Sequence, residues 1–295
     1  MKADRFRGVG PALVTAFAAD GTIDEAAYRA HVEWMIESGV DYIVPCGTTG
    51  ESVTMSTDEQ AAVIGMAVDQ AAGRVPVLAG AGTNSTAEAI EGAKAAVRAG
   101  ADAILTVSPY YNKPTQEGIF LHYSAVAEAA GVPIIVYNVP GRTSSNISAE
   151  TTLRLAEVDG IIGIKEASGD MDQVMTILRN RPDGFLVVSG DDALTFPMMA
   201  MGGDGVISVA GNLVPAPLSA MCRAALAGRW DEALALHFQL LPLMHAIFVE
   251  SSPIPVKAAL EMMGRAPAHH RLPMVGLQEV NRPLVEEALR LAGAL

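Results

Sequence analysis

One lysine stands where its side chain could do chemistry. Lys165 directly follows the apolar run Ile161–Ile164, and the turn-forming residues Ser168 and Gly169 come soon after it. Of the five lysines in the chain, only this one ends a segment that has the pattern of a buried strand. Because burial disfavours an ammonium, we expect the pKa of Lys165 to fall toward neutrality and its amine to act as a nucleophile. From this segment alone, a strand-end lysine that reaches solvent or pairs with a carboxylate explains the sequence equally well.

The segments around Lys165 predict the fold that must position it. Short apolar strands alternate with amphipathic helices in eight strand–helix units, which favours an α/β fold of the (β/α)8 TIM barrel type. A doubly wound open sheet is the main alternative. We expect residues 1–214 to form the catalytic barrel and residues 215–295 to form a C-terminal α-helical extension packed on it. The predicted strands are Gly8–Phe17, Val40–Cys46, Val75–Ala79, Ala101–Val107, Val132–Tyr137, Gly160–Lys165, Phe185–Ser189 and Gly205–Val209.

Hydroxyls, phenols and a guanidinium lie at the ends of the predicted strands, where a (β/α)8 barrel places its catalytic groups. A lysine amine can condense with a 2-oxo acid, and the imine then withdraws electrons from the adjacent carbon. Phenols and hydroxyls could carry protons beside that imine, while threonines and an arginine could bind carboxylates. Each group also has a structural explanation, as a helix cap, a core aromatic or a surface ion pair. The residues are Thr48, Thr49, Tyr111, Tyr137 and Arg142.

Composition limits the possible partners and compartments. The net charge is −13 and the pI is about 4.8, which argues against nucleic acid or an anionic membrane as a partner. No apolar run reaches the length of a membrane helix, and the charged start, residues 1–7, leads into no apolar signal core, so we expect a cytoplasmic protein. We also expect no metal and no cofactor. Cys46 is interpreted as a small apolar strand end, with a thiol nucleophile as the alternative, and Asp191 and Asp192 as a helix N-cap.

Five motifs in order resemble the 4-hydroxy-tetrahydrodipicolinate synthase family, formerly called dihydrodipicolinate synthase. This family belongs to the class I pyruvate-dependent aldolase superfamily, which also holds N-acetylneuraminate lyase. The likeness runs from about Val9 to about Leu291. The motifs are Gly47–Glu51, Pro109–Pro114, Tyr137–Thr143, Ile162–Ala167 and Ser189–Asp192.

The resemblance implies a lyase that condenses pyruvate with L-aspartate 4-semialdehyde to 4-hydroxy-tetrahydrodipicolinate, in diaminopimelate and lysine biosynthesis. It implies that Lys165 forms the Schiff base with pyruvate. Tyr137, Thr48 and Tyr111 would form a proton relay, with Tyr111 reaching the site of the neighbouring subunit. The family is commonly a homotetramer made of two tight dimers, so the resemblance implies a homo-oligomer.

The resemblance also implies how the substrates are bound. Thr49 would hold the pyruvate carboxylate, and Gly190 and Ile207 would line the pocket through backbone groups. Arg142 would bind the carboxylate of the semialdehyde. It is the residue that discriminates within the superfamily, because sugar-acid lyases typically carry other residues after the Tyr137–Asn138 pair.

Regulation is the property in which the sequence departs from part of the family. Positions that match the lysine-binding allosteric pocket of inhibited members are Ser52, Asn84, Glu88 and Tyr110. Thr57 and Gln60 stand where strongly inhibited bacterial members tend to carry histidines, so we expect weak or absent inhibition by lysine. Two other functions stay open from the sequence: a sister lyase or dehydratase acting on a sugar acid, and a barrel that has lost catalysis and serves as a binding or assembly protein.

Overall fold

A computed structural model describes residues 3–295, and the first two residues of the charged start, Met1 and Lys2, lie outside this range. Within it, seven strands form one parallel sheet in the order β1-β7-β6-β5-β4-β3-β2. The strands are β1 (Gly8–Pro11), β2 (Leu78–Gly80), β3 (Ala103–Val107), β4 (Ile134–Asn138), β5 (Ile161–Glu166), β6 (Leu186–Ser189) and β7 (Gly205–Ser208).

The predicted second strand, Val40–Cys46, closes this sheet without forming a regular strand. Isolated parallel bridges join Val44 to Ala12, just after β1, and Ile43 to Val77, just before β2. The segment therefore fills the eighth position of the barrel, and the predicted (β/α)8 fold is confirmed. The regular ladder stops early because Pro45 has no N–H to donate and Cys46 adopts a left-handed φ of 56°.

Helices cover the outside of the barrel, and half of the α-helices in the described chain begin at a side-chain cap. The described chain contains α1 (Glu25–Glu37), α2 (Thr57–Ala71), α3 (Thr86–Arg98), α4 (Gln116–Ala130), α5 (Pro140–Thr143), α6 (Ala149–Ala156), α7 (Met171–Asn180), α8 (Thr195–Ala200), α9 (Pro215–Leu226), α10 (Trp230–Ala246), α11 (Ile254–Met262) and α12 (Arg282–Leu291). Short 3-10 helices span Ala3–Phe6, Ser52–Thr54, Ala210–Asn212 and Glu279–Asn281.

Six of these helices begin after a side-chain oxygen that accepts a hydrogen bond from the backbone N–H three residues later. Each such cap contributes about 1 kcal/mol. Because the caps lie in the loops after the strands, they fix where those loops end and where each helix starts. The capping residues are Asp24, Ser56, Ser85, Thr115, Ser148 and Asp170.

Side chains alternate between two hydrophobic layers along each strand. In β4, Ile134 and Val136 pack in the layer between strands and helices. Ile135 and Tyr137 pack in the barrel interior, together with Leu186 and others. A residue that pairs with Tyr137 on the neighbouring strand therefore also faces the interior.

The C-terminal helices form a third core cluster against one side of the barrel. Leu218 and Met221 of α9, Leu240 of α10 and Leu289 of α12 are buried together with Val9 and Val206 of the first and last strands. No strand follows Ser208 in the described chain. The domain boundary that we predict at residues 214 and 215 stays a prediction. Among residues 3–295, no helix is long and apolar enough to cross a membrane.

A buried ion pair ties this C-terminal part to a loop of the barrel. Lys257 Nζ of α11 donates to Glu51 Oε1 at 2.6 Å and to the His269 carbonyl at 2.6 Å, and both charged side chains are only 1% exposed. His270 Nδ1 lies 3.4 Å from the same carboxylate oxygen. Burial raises the pKa of Glu51, but the neighbouring His270 and the charge and hydrogen bond of Lys257 more than offset this and hold the pKa below its usual value, so the carboxyl stays ionised.

We predict that Lys257→Met destabilises the protein by about 3–5 kcal/mol, because it leaves the Glu51 charge buried without a cation. Urea unfolding would measure the change. Arg229→Met is the control: Arg229 Nε lies 2.7 Å from Glu232 Oε2, but both side chains are about half exposed, so its loss should cost no more than about 1 kcal/mol. Equal costs for the two variants would contradict the prediction.

Candidate active site

Parallel pairing of β4 and β5 places Tyr137 directly beside Lys165. Both side chains point into the barrel, and Lys165 Nζ lies 4.1 Å from the centre of the Tyr137 ring. On the other side of β5, Lys165 pairs with Val188 of β6. The amine is therefore held between a phenol ring and an apolar strand at the carboxyl end of the barrel, the end at which a (β/α)8 barrel carries its catalytic groups.

Burial dominates the electrostatics of this amine. Lys165 is 5% exposed, and burial lowers its pKa to about 7. The charge of Asp192 opposes the shift, while the charge of Arg142 adds to it. A substantial fraction of the molecules therefore carries an unprotonated amine at neutral pH, as a nucleophile requires.

Tyr137 keeps its proton at the same pH. Burial raises the pKa of the Tyr137 phenol to about 12, although the Arg142 charge opposes this. A neutral phenol beside the amine can donate a hydrogen bond or accept one, and it can pass a proton when a charge develops next to it.

Gly190 gives the lysine chain its space. A Cβ at Gly190 would lie 2.7 Å from Ala167 Cβ and 2.9 Å from Lys165 Cε, closer than real contacts allow, and a tight 3.1 Å from Lys165 Cγ. Any larger residue would push the lysine stem away from the position at which its amine meets Tyr137. Gly190 therefore supports the site through its lack of a side chain, and its N–H donates to the Glu166 carbonyl at 2.7 Å.

A cavity of about 590 Å³ opens above these residues. Lys165, Tyr137, Thr48 and Arg142 all line it, so the structure brings four of the predicted site residues together. Its volume is that of a small-molecule site. Arg142 lies on the short helix α5, and its Nη2 donates to the Ser252 carbonyl at 3.3 Å.

The cavity also extends to the residues that we associated with regulation. Ser52, Glu88 and Tyr110 line it together with Thr57 and Gln60. The fourth, Asn84, is not among the lining residues, and its backbone carbonyl accepts a hydrogen bond from Asn112 Nδ2 at 2.9 Å.

Four of the predicted catalytic and substrate-binding residues lie outside the lining of the cavity: Thr49, Tyr111, Gly190 and Ile207. Thr49 is buried next to Thr48, and Ile207 of β7 is fully buried in the barrel interior. Tyr111 is 87% exposed, with a left-handed φ of 73°, and its backbone N–H donates to the Thr143 carbonyl. The structure therefore brings Tyr111 near the loop that carries Arg142, but its phenol faces away from the core of its own chain.

Asp192 has a different role from the predicted helix N-cap. The helix α8 starts at Thr195 without a side-chain cap. The Asp192 carboxylate accepts hydrogen bonds from the Ser208 hydroxyl and from the backbone N–H groups of Val209 and Ala210, the latter two at 3.0 Å. The N-cap interpretation of Asp192 is wrong, because its buried carboxylate accepts hydrogen bonds from these donors at the end of β7 and not from the first turn of α8.

Cys46 is a buried thiol, and Lys257 and His270 are buried groups that the sequence analysis did not single out. Burial raises the pKa of Cys46 to about 12, so this thiol stays protonated and is a poor nucleophile, and Cys46 lies in the turn after the bridged residues Ile43 and Val44 and not in a regular strand. Sequence reasoning did not identify Lys257 and the side chain of the loop residue His270 as buried groups beside Glu51. Both lie far from Glu51 in sequence, so no local pattern could reveal their partner.

A family model described as the dihydrodipicolinate synthetase family matches residues 5–292. The chain belongs to this family. It is 55% identical to a 4-hydroxy-tetrahydrodipicolinate synthase of Koribacter versatilis, over 99% of this chain and 97% of the relative.

Solved structures of similar proteins share the barrel. A dihydrodipicolinate synthase from Thermotoga maritima is 42% identical with a TM-score of 0.97, covering 99% of this chain and 100% of that one. A chloride-inhibited dihydrodipicolinate synthase from Acinetobacter baumannii, solved with pyruvate, is 44% identical with a TM-score of 0.96, covering 98% and 99%. The predicted family, fold and enzyme class are confirmed: this member of the dihydrodipicolinate synthetase family is a lyase that condenses pyruvate in diaminopimelate and lysine biosynthesis.

We predict that imine formation with pyruvate follows the ionisation of Lys165. Below pH 7 the amine is protonated and unreactive, so the rate should rise with pH to a plateau above a midpoint near 7. Borohydride trapping of the pyruvate adduct over a pH series would measure this rate.

Two variants test the electrostatic cause of this midpoint. Because the Arg142 charge lowers the pKa of Lys165 and the Asp192 charge raises it, Arg142→Ala should move the midpoint to higher pH and Asp192→Asn should move it to lower pH. Shifts in the same direction would contradict this electrostatic explanation.

Proposed function

We propose that this enzyme condenses pyruvate with L-aspartate 4-semialdehyde to give 4-hydroxy-tetrahydrodipicolinate, through an imine on Lys165. The observation that carries the proposal is a buried amine with a pKa of about 7, held against the Tyr137 phenol in a cavity that Arg142 also lines. Family membership and the names of its relatives support the same reaction.

In the first step, the unprotonated amine of Lys165 attacks the keto carbon of pyruvate. The carbinolamine loses water and becomes an imine, and each proton transfer needs a donor or acceptor close to the nitrogen. Tyr137 is in ring contact with the amine, and Thr48 lines the same cavity. We assign the proton relay to these two residues together with Tyr111.

In the second step, the imine acts as an electron sink for the adjacent methyl group. Loss of one methyl proton gives an enamine, whose terminal carbon attacks the aldehyde carbon and forms the new carbon–carbon bond. The aldehyde oxygen gains a proton and becomes the hydroxyl of the product. The α-amino group of the semialdehyde then attacks the imine carbon, closes the ring and releases the Lys165 amine.

Two groups are assigned to the carboxylates of the substrates. Thr49 follows Thr48 in the loop whose end is fixed by Glu51, and we assign its hydroxyl and backbone to the pyruvate carboxylate. Arg142 is assigned to the carboxylate of the semialdehyde, because a guanidinium binds a carboxylate through two parallel hydrogen bonds. Gly190 and Ile207 complete the pocket through their backbone groups.

Tyr111 connects this assignment to a homo-oligomer, which we propose is a dimer of dimers. A tyrosine that is 87% exposed in one chain, at a strained left-handed φ, contributes little to the stability of that chain. Both features suit a side chain that completes the site of a neighbouring subunit. Weak or absent inhibition by lysine also stays a prediction, resting on Thr57 and Gln60 at the far side of the cavity.

The Lys165→Ala variant tests the reaction type. In a coupled assay with pyruvate and L-aspartate 4-semialdehyde, we expect the wild-type enzyme to turn over and the variant to lose nearly all activity, because the covalent step is removed. Borohydride with pyruvate should add mass at Lys165 in the wild-type enzyme and in the control Lys94→Ala, whose lysine pairs with Glu91 on the surface. More than about a tenth of wild-type activity in Lys165→Ala would contradict the assignment. Turnover of N-acetylneuraminate or a 2-keto-3-deoxy sugar acid, but not of the semialdehyde, would favour the sister lyases.

The Arg142→Ala variant tests substrate choice. Loss of a charge-assisted hydrogen bond should lower kcat/KM for the semialdehyde by about 10- to 100-fold, while KM for pyruvate changes little. Steady-state kinetics with each substrate varied in turn would measure both. Arg154→Ala, whose arginine pairs with Glu117 on the surface, is the control. An effect of Arg142→Ala confined to the KM for pyruvate would refute the assignment.

A further inference from the structure

The residues that follow Tyr137 and Lys165 form a second pair behind the catalytic one. Asn138 and Glu166 are paired in the same register of β4 and β5, one residue beyond Tyr137 and Lys165. Because successive strand residues point to opposite faces, these two side chains face the helices and not the cavity. Both are buried, at 0% and 1% exposure. No mechanistic step described above uses either of them.

The Glu166 carboxylate is held by neutral donors alone. Asn138 Nδ2 lies 3.2 and 3.0 Å from its two oxygens, and the backbone N–H of Ser168 donates to Oε1 at 2.6 Å. Gln173 Nε2 of α7 donates to Oε2 at 3.1 Å. Glu166 forms no ion pair with any residue from 3 to 295. Burying an acidic residue in this way is costly unless every hydrogen bond is made, so the network specifies one geometry.

Asn138 uses its remaining atoms to hold both ends of the next loop. Its backbone starts the segment 139–147, and its Oδ1 accepts the N–H of Ile147, where that segment ends, at 2.9 Å. Its Nδ2 also donates to Asn146 Oδ1 at 2.8 Å. Asn146 is also bound by Gln173, because Asn146 Nδ2 donates a hydrogen bond to Gln173 Oε1 at 2.9 Å.

The segment closed in this way is the one that carries Arg142. It contains the short helix α5 and the Thr143 carbonyl that accepts the Tyr111 N–H. A guanidinium binds a carboxylate well only in a narrow range of positions, and small displacements of a binding group weaken catalysis strongly. The position of Arg142 relative to the amine of Lys165 thus depends on the contacts between the two strands and this loop.

We propose that Glu166 and Asn138 are positioning residues for the semialdehyde: they fix the Arg142 loop to the strand that carries Lys165. This inference rests on the function proposed above for Arg142. It assigns specificity to a carboxylate that touches neither substrate and acts only through the loop it holds.

Glu166→Gln is the most direct test, because it keeps the size of the side chain. It replaces one carboxylate oxygen, which accepts hydrogen bonds, by an NH2 group that would face the N–H donors around it. We expect KM for the semialdehyde to rise by about tenfold or more, while KM for pyruvate and the borohydride trapping of pyruvate stay within about twofold of wild type. The control is Asp204→Asn. Asp204 is equally buried, accepts the Val187 N–H at 2.9 Å and pairs with Arg181 before β7. Its variant should lose stability without a selective effect on the semialdehyde.

A double-mutant cycle separates positioning from a merely structural role. In the Arg142→Ala background, Glu166→Gln should change KM for the semialdehyde by less than about twofold, because the group it positions is gone. If Glu166→Gln does not fold, Asn146→Ala at the exposed outer end of the network should raise the same KM by about threefold. An undiminished effect without Arg142, or equal effects on both substrates, would overturn the proposal. A wild-type enzyme that does not use the semialdehyde would instead refute the proposed function.

Discussion

The parallel register between β4 and β5 is the constraint on which the site depends. It fixes two pairs at once: Tyr137 beside Lys165 toward the cavity, and Asn138 beside Glu166 toward the helices. Alternation of side chains along a strand makes the two pairs inseparable, since a shift by one residue would exchange their faces. The chemistry and the network that holds the neighbouring loop therefore share one set of backbone hydrogen bonds. The pairing of β4 with β5 also contains an irregularity, because the register shifts between Ile134 and Ile135 of β4, and the pairing of Tyr137 with Lys165 comes after that shift.

A second constraint comes from the far end of the chain. Glu51 ends the loop that carries Thr48 and Thr49, and it adopts a left-handed φ of 54°. Such a conformation costs of order 1 kcal/mol for a residue other than glycine and persists only where the surroundings impose it. Here Lys257 of α11 holds Glu51 in this conformation, because its buried ammonium group lies 2.6 Å from the buried Glu51 carboxylate. The C-terminal helices thus determine the shape of a loop that lies more than two hundred residues earlier in sequence, and a barrel without them would lack this restraint.

The sequence predicts the barrel well because its signals are local. The apolar periodicity predicts helices over residues 86–99, 116–130 and 149–156. The helices Thr86–Arg98, Gln116–Ala130 and Ala149–Ala156 agree with these ranges to within a residue at each end, and their caps are short-range hydrogen bonds. The site residues could be gathered because strand ends in a barrel meet at one rim. The sequence could not predict interactions between residues that only the tertiary fold brings together. These are the hydrogen bonds of Asp192 to the end of β7 and the ion pair of Glu51 with Lys257. The predicted strand Val40–Cys46 fails for a local reason, since Pro45 and Cys46 interrupt the ladder.

The two buried lysines show why burial alone does not identify a nucleophile. Lys165 and Lys257 are both almost fully buried, and each ammonium group lies over an aromatic ring, that of Tyr137 or that of Phe17. They differ in their nearest acceptor. Lys257 has a carboxylate oxygen and a carbonyl oxygen at 2.6 Å, which favour the ammonium and hold it in place. Lys165 has a neutral phenol beside it, and the acid whose charge raises its pKa, Asp192, is bound by Ser208 and two backbone N–H groups. Because the donors at the end of β7 occupy Asp192, its charge only moderates the pKa of Lys165, and the amine stays free to attack a carbonyl carbon.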